Sequence, residues 1–270
     1  MTSAIKAVVF DWAGTMIDHG SRAPVEALLR LFDHAGVPIL ESEARIDMGR
    51  AKRDHIRAIL AQPRVAAAWR EAHGAASTEA DVDRLHDAVA PIMREAARDC
   101  ATLIPGALDL VERLRGAGVP IASCTGYTRE MMADILPMAA AQGYTPDVVV
   151  CSGETAEGRP SPLMLWKALG DLRVWPARAC VKIDDAVVGI GEGRAAGSWT
   201  VGVAASGNGV GLTYDELLAL PCDERAEQVG HAAAALRDAG ADYVIDSVAD
   251  LWPVLDDIGL RITAGERPAA

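Results

Sequence analysis

The sequence is short of several things, and each shortage narrows what the chain can be. Its five cysteines are odd in number and none stands in a CxxC spacing, which disfavours a disulfide framework and suits a reducing compartment. Positive charge is scarce: the formal net charge is -12. That argues against nucleic acid and anionic membranes as partners and gives no long-range attraction for an anionic substrate, so any phosphate site must be locally positive. No apolar run approaches the length of a membrane span, and the opening stretch MTSAIKAVVFD has no signal-peptide core, so the expectation is a soluble cytoplasmic protein. Internal repeats and low-complexity tracts are also missing.

One further absence concerns chemistry. Val8, Val9 and Phe10 form a short apolar run suited to a strand covered on both faces. Asp11 ends it and Gly14 marks the turn that follows. A carboxylate at the carboxyl end of a strand, where open α/β sheets bind ligands, is a candidate nucleophile or metal ligand. A phosphoester reaction would call for a second carboxylate two residues on, to handle the proton. That position holds Ala13.

At 270 residues the chain can form a large domain plus a smaller one. After the first strand, Val25, Leu28, Leu29 and Phe32 recur at helical spacing between Pro24 and Gly36. Helical patterns continue through RAKRDHIRAILAQP and EADVDRLHDAVAPIMREAARDC with no intervening strand. From Pro105 helices alternate with the strands VPIASC, DVVVC, ACVKI and WTVGVA. This alternation predicts an α/β fold with a doubly wound, Rossmann-like parallel sheet. The expected division is a core of residues 1–19 and 101–270 with an inserted α-helical cap of residues 20–100. The tail GERPAA is expected to be loose.

Each candidate functional residue of the core follows a strand. CTGYT places Thr125 and Gly126 where a hydroxyl and backbone N–H groups could hold a phosphate. GRPSP contributes Arg159, and KIDDAVVG contributes Asp184 and Asp185. Singly, these read as a turn, a solvated charge and a helix cap; the cysteines near the strand ends read as core thiols. In this order, on alternate β/α units, they form a set. FDWAGT, TGYTRE, GRPSP and DDAVVG resemble the four ordered motifs of the haloacid dehalogenase superfamily, magnesium-dependent enzymes that transfer phosphoryl groups through an aspartyl-phosphate. The resemblance implies that Asp11 is the nucleophile and a Mg²⁺ ligand and that Ala13 lends its carbonyl to the metal. It further implies that Thr125 and Gly126 hold phosphoryl oxygens, that Arg159 neutralises their charge, and that Asp185 is the other carboxylate ligand. Two positions depart from the superfamily pattern: Ala13 stands where an acid usually serves an oxygen leaving group, and Gly189 where another acid usually follows the metal ligand. Asp184 is a candidate replacement, although successive strand residues point to opposite faces.

The stretch MGRAKRDHIRAIL offers what Ala13 withholds. At about 100° per residue, Met48, Lys52, His55 and Ile59 fall on one face and Arg50, Arg53, Asp54 and Arg57 on the other. Singly, Lys52 reads as a snorkelling lysine and His55 as a core histidine; together, on the apolar face of a cap, they point to a site. A desolvated lysine near other cations loses its proton more easily, and moving its pKa from about 10.4 to about 7 would cost roughly 5 kcal/mol. Its use would be as an amine forming a Schiff base with a carbonyl. If the bond broken is carbon–phosphorus, a protonated imine can absorb the leaving electrons as an enamine, and no acid is needed at position 13. The combined motifs FDWAGT, MGRAKRDH, CTGYTREMM and GRPSP resemble the phosphonatase branch of the superfamily. This implies Lys52 as the Schiff-base lysine, with Met48, His55 and Tyr127 lining the site and assisting proton movement. It also implies phosphonoacetaldehyde as substrate, acetaldehyde and phosphate as products, and a homodimer. The competing readings are a capped phosphomonoesterase or phosphomutase and a non-catalytic phosphate-binding protein.

Overall fold

Apolar runs that alternate between two covered faces build the centre of the molecule. In the computed structural model, which describes residues 4–269, the first strand is β1 (Ala7–Phe10), buried throughout. Val8 and Phe10 join the larger apolar cluster on one side, and Ala7 and Val9 the smaller one on the other. Six helices follow before the next strand, the first five being α1 (Arg22–His34), α2 (Glu41–Arg45), α3 (Lys52–Ala61), α4 (Pro63–His73) and α5 (Glu79–Cys100). Alternation then sets in with α6 (Ala107–Gly116), β2 (Ile121–Thr128), α7 (Met132–Ala141), β3 (Val148–Ser152), α8 (Leu163–Asp171), β4 (Cys180–Asp184), α9 (Val187–Ala196) and β5 (Trp199–Val203). The chain closes with α10 (Tyr214–Ala219), α11 (Cys222–Asp238), β6 (Tyr243–Ile245) and α12 (Leu251–Thr263).

The strands form one parallel sheet in the order β3-β2-β1-β4-β5-β6. The chain moves outward from β1 to β3, then returns to β4 on the other side of β1. This reversal opens a crevice at the carboxyl ends of β1 and β4, the place where a doubly wound sheet binds its ligand. Above it, α1 packs along α5, and α5 also touches α3 and α7. The larger apolar cluster runs from Val8 and Phe10 through Trp12 and Met16 into Leu28 and Phe32 of α1 and Val89 and Met93 of α5. Helices and sheet therefore share one continuous core.

The structure departs from the sequence expectations in several places. The strand β6 has only three residues, two of them partly exposed, so it carries no long apolar run to announce it. The strand β2 continues to Thr128, with its pairing to β3 irregular between Thr125 and Thr128; Thr125 and Gly126 lie within the distorted strand end instead of a following turn. Met48 precedes α3 and occupies a turn, so it reaches the site from that turn and not along the helix face. Gln62 is extended before Pro63, which opens α4 as a separate helix. The tail is less loose than expected: Glu266 accepts from Arg261 at 2.8 Å and Ala269 N–H donates to Asp242 at 2.9 Å. Its last residue, Ala270, lies outside the described range. Cys124, Cys151 and Cys180 are buried thiols.

Candidate active site

Asp11 leaves β1 with its N–H bonded to the Ile183 carbonyl of β4 at 2.9 Å, so pairing of the two central strands sets its position. Its Oδ1 accepts from Arg159 Nη1 at 2.7 Å. Arg159 is held on its remaining edges: Nε donates to Glu192 Oε2 at 3.0 Å and Nη2 to the Cys124 carbonyl at 2.5 Å, with Asp184 Oδ2 at 3.5 Å. A buried guanidinium is thus aimed at the carboxylate by three elements at once. It is not a solvated loop charge.

Asp185 lies just past the end of β4. Its Oδ2 accepts the Asn208 N–H at 2.7 Å and its Oδ1 the Thr15 hydroxyl at 3.3 Å. Strand alternation would have turned Asp184 and Asp185 apart, but the pleat ends at Asp184, and both carboxylates converge. Oxygens of Asp11, Asp184 and Asp185 lie within 4.8 Å of one another. This all-oxygen set is the donor chemistry of a hard divalent cation. The charge balance agrees. The buried carboxylates of Asp11, Asp184, Asp185 and Glu192 outnumber the buried cations Arg159, Lys182 and Lys52, four negative groups against three positive, which leaves one negative charge. Without a cation the crowding is visible in the acids themselves. Burial, opposed by Arg159 and reinforced by Asp184, pushes Asp11 up to about 6. Burial and the neighbouring Asp11 push Asp185 well above the usual carboxylate range. For Asp184, burial also works upward, but Arg159 and Lys182 outweigh it and hold the group below its ordinary value. A bound divalent cation would favour the ionised form of all three acids.

The turn before α3 lowers Met48, Gly49 and Arg50 onto the sheet. A Cβ on Gly126 would stand 2.8 Å from the carbonyl oxygens of Gly49 and Arg50, so only glycine at 126 permits this approach. Lys52 follows as the first residue of α3, 2% exposed, with its Nζ 5.4 Å from the centre of the Tyr127 ring. Burial is the main cause that brings its amine down to about 8; Asp11 opposes the change and Arg159 assists it. The cation that matters is Arg159 across the crevice. Arg53 and Arg57 of α3 face outward and pair with Glu79 and its neighbours. The positive end of the helix also disfavours an ammonium at its first residue. His55, one turn along, is completely buried, and burial followed by the Lys52 charge brings it down to about 3, a neutral imidazole. Burial also raises the Tyr127 phenol well above its usual value, and its hydroxyl is enclosed without a hydrogen-bond partner.

Asp11, Ala13, Met48, Lys52, Thr125, Gly126, Tyr127 and Asp185 all line one chamber of about 20 Å³, room for about one water. Two expected site residues stand behind its wall. Arg159 reaches it through Asp11, and His55 through Lys52. A cleft of about 710 Å³ opens next to it and shares Lys52 as a wall. Sequence reasoning missed Lys182, Glu192, Thr15 and Asn208. Lys182 had a usable signal: a lysine inside the otherwise apolar run ACVKI of a doubly covered strand needs a buried partner. Glu192 had none, since helix α9 gives no indication of which side faces Arg159.

The chain is similar to known proteins over most of its length. A family model of haloacid dehalogenase-like hydrolases matches residues 5–197. The chain is 51% identical over 264 residues to a phosphonoacetaldehyde hydrolase of Paraburkholderia xenovorans, covering 98% of this chain and 99% of the relative. It is 45% identical over 264 residues to one of Nitratidesulfovibrio vulgaris, covering 98% and 94%. The crystal structure of a phosphonoacetaldehyde hydrolase-like protein from Oleispira antarctica superposes with a TM-score of 0.97 at 43% identity, covering 99% of this chain and 97% of that one.

Proposed function

The chain belongs to the phosphonoacetaldehyde hydrolase family of the haloacid dehalogenase-like hydrolases, and from that premise we propose that it hydrolyses phosphonoacetaldehyde to acetaldehyde and phosphate. The observation that carries the reading is the pairing of Lys52 with Ala13. A buried amine near 8 and the carboxylate of Asp11 line the same chamber, and the position that would protonate an oxygen leaving group holds a methyl.

The Lys52 amine adds to the aldehyde carbon and water leaves, giving an imine that is protonated at nitrogen. The Asp11 carboxylate attacks phosphorus in line with the C–P bond. That bond breaks, its electron pair moves into the enamine on Lys52, and the phosphoryl group is left on Asp11. The enamine takes a proton at carbon, and water releases acetaldehyde and the free amine. A second water hydrolyses the aspartyl-phosphate. Arg159 and Thr125 balance and orient the phosphoryl oxygens, with the Gly126 backbone alongside. Tyr127, Met48 and neutral His55 enclose the amine and keep it desolvated. A divalent cation, Mg²⁺ in this reading, would be held by Asp11, the Ala13 carbonyl and Asp185 and would screen the phosphoryl charge from the attacking carboxylate.

Residues 20–100 act in this proposal as a cap over a core of residues 1–19 and 101–270, working in a cytoplasmic homodimer as the family resemblance implies. No helix among the described residues is long and apolar enough to cross a membrane. The direct test is incubation with phosphonoacetaldehyde and Mg²⁺. Acetaldehyde and phosphate should appear in equal amounts and stop appearing with a chelator. Turnover of phosphate monoesters in preference to the phosphonate would overturn the proposal in favour of a phosphomonoesterase or phosphomutase.

A further inference from the structure

Gly189 and Asp184 are complementary in space. A Cβ built on Gly189 would stand 2.0 Å from both Cγ and Oδ2 of Asp184 and 2.2 Å from its Oδ1. The carboxylate of a β4 residue therefore fills the volume that a side chain from α9 would take. It is seated firmly. Asp184 is 0% exposed, its Oδ1 accepts the Ala186 N–H at 3.1 Å, and its Oδ2 pairs with Lys182 Nζ at 2.9 Å. The same oxygen lies 3.5 Å from Arg159 Nη2. Lys182 and Arg159 also share Glu192 Oε2, at 3.3 and 3.0 Å. Two carboxylates thus grip two cations, and the one cationic edge that faces Asp11 is Arg159 Nη1. Asp184 is not among the residues that line the chamber, so it reaches a phosphoryl group there through the cations it holds, although one of its oxygens also lies within 4.8 Å of those of Asp11 and Asp185.

We infer that Asp184 is a positioning residue for the reaction, its carboxylate seated in the space left by Gly189 and fixing Arg159 and Lys182 so that Nη1 meets the phosphoryl group at Asp11. The inference rests on the reading that Asp11 and Arg159 receive that group. A shape-filling role alone would be met equally by the isosteric amide. A positioning role depends on the charge and on the exact seat of the carboxylate, and Gly189 controls that seat without touching Arg159 in any way the structure shows.

The test measures binding of inorganic phosphate, in the presence of Mg²⁺, by isothermal titration calorimetry in the full-length protein, together with kcat and KM. Asp184→Asn keeps the shape and removes the charge. It should weaken phosphate binding by about 10- to 100-fold, the range for loss of a charge-assisted contact, and lower kcat. Gly189→Ala keeps the charge and displaces it, and should weaken phosphate in the same direction. In an Asp184→Gly background the seat is vacant, so adding Gly189→Ala should change binding by less than about threefold, the non-additivity expected of two groups that share one space. The inference is overturned if Asp184→Asn binds phosphate as the unaltered protein does, or if Gly189→Ala has the same effect in both backgrounds. Should Gly189→Ala alone fail to fold, Asp184→Asn still decides the matter. Absence of phosphate binding in the unaltered protein would instead overturn the phosphoryl-site reading and this inference with it.

Discussion

Lys52 and Lys182 stand on different elements around one acidic cluster, one at the start of helix α3 and the other inside strand β4. Both are buried, 2% and 0% exposed, and burial pushes both ammonium groups towards the neutral amine. They end in opposite states. For Lys52 burial prevails, and the amine comes down to about 8. For Lys182 burial and Arg159 work in the same downward direction, but Asp184 at 2.9 Å and Glu192 at 3.3 Å outweigh them and leave it above the ordinary value. Depth does not decide which lysine can be a nucleophile. The number of carboxylates within ion-pair distance does. Lys182 is a counter-ion for the buried acids, and Lys52 is the group free to lose its proton.

The sharpest way to break this contrast is Lys52→Arg. Guanidinium stays protonated and cannot form an imine, so C–P cleavage should fall by about 10³-fold or more, in the range seen when a covalent nucleophile is removed. Borohydride added with phosphonoacetaldehyde should inactivate the unaltered enzyme and add mass to the peptide carrying Lys52. An adduct on Lys182, or near-normal turnover by Lys52→Arg, would erase the distinction between the two lysines.

Stability should separate them by sign. Lys182→Met leaves Asp184 and Glu192 with Arg159 as their one shared cation and should destabilise the protein by about 3 kcal/mol. Lys52→Met replaces a poorly solvated ammonium with an apolar chain of similar length. It should stabilise the protein at pH 7 by about 1–3 kcal/mol while abolishing activity, since sites that strain a group often do so at the expense of stability. The gain should depend on pH. The folded pKa of Lys52 is depressed to about 8, below an unfolded value of about 10.4. Between those values the unfolded chain binds a proton that the folded chain does not, so Lys52 destabilises the fold fully below about 8 and progressively less as pH rises through that window. Urea titrations at neutral and alkaline pH should therefore show the advantage of Lys52→Met shrinking with pH. An advantage that grows would reverse the assignment.

The smallest expected effect is kinetic. Imine formation needs the free amine, so the rate of borohydride trapping should rise about tenfold per pH unit below about 8 and level off above it. A profile that keeps rising tenfold per unit past pH 9, followed over time by mass spectrometry, would mean that Lys52 is no more acidic than an exposed lysine.

Much of the candidate site is legible in the sequence. Asp11, Thr125, Arg159 and Asp185 each follow an apolar run, and Lys52 sits among apolar positions while its helix neighbours Arg53 and Arg57 do not. The misses have physical causes. Met48 was placed on the helix because its spacing fits, but Ala51 caps α3 and the turn before it carries Met48 inward by another route. Asp184 was set against Asp185 by strand alternation, a rule that lapses where the strand ends. Lys182 went unread, and its difference from Lys52 lies in its carboxylate partners Asp184 and Glu192.

The sequence by itself determined the alternation of helices and strands and the placing of acids, hydroxyl and guanidinium at strand ends, because strand runs and turns are local and a parallel sheet aligns its carboxyl ends along one edge. Even the pairing of Lys182 with Asp184 is local, two residues apart on one strand face. Only the tertiary structure decided how those charges act on one another. Glu192 comes from α9 and Arg159 from the loop before α8, while Gly126 lets the turn before α3 approach until Lys52 is buried. Coulomb energies depend on separations of a few ångströms and on the water excluded between charges, and both are set by which distant segments pack together.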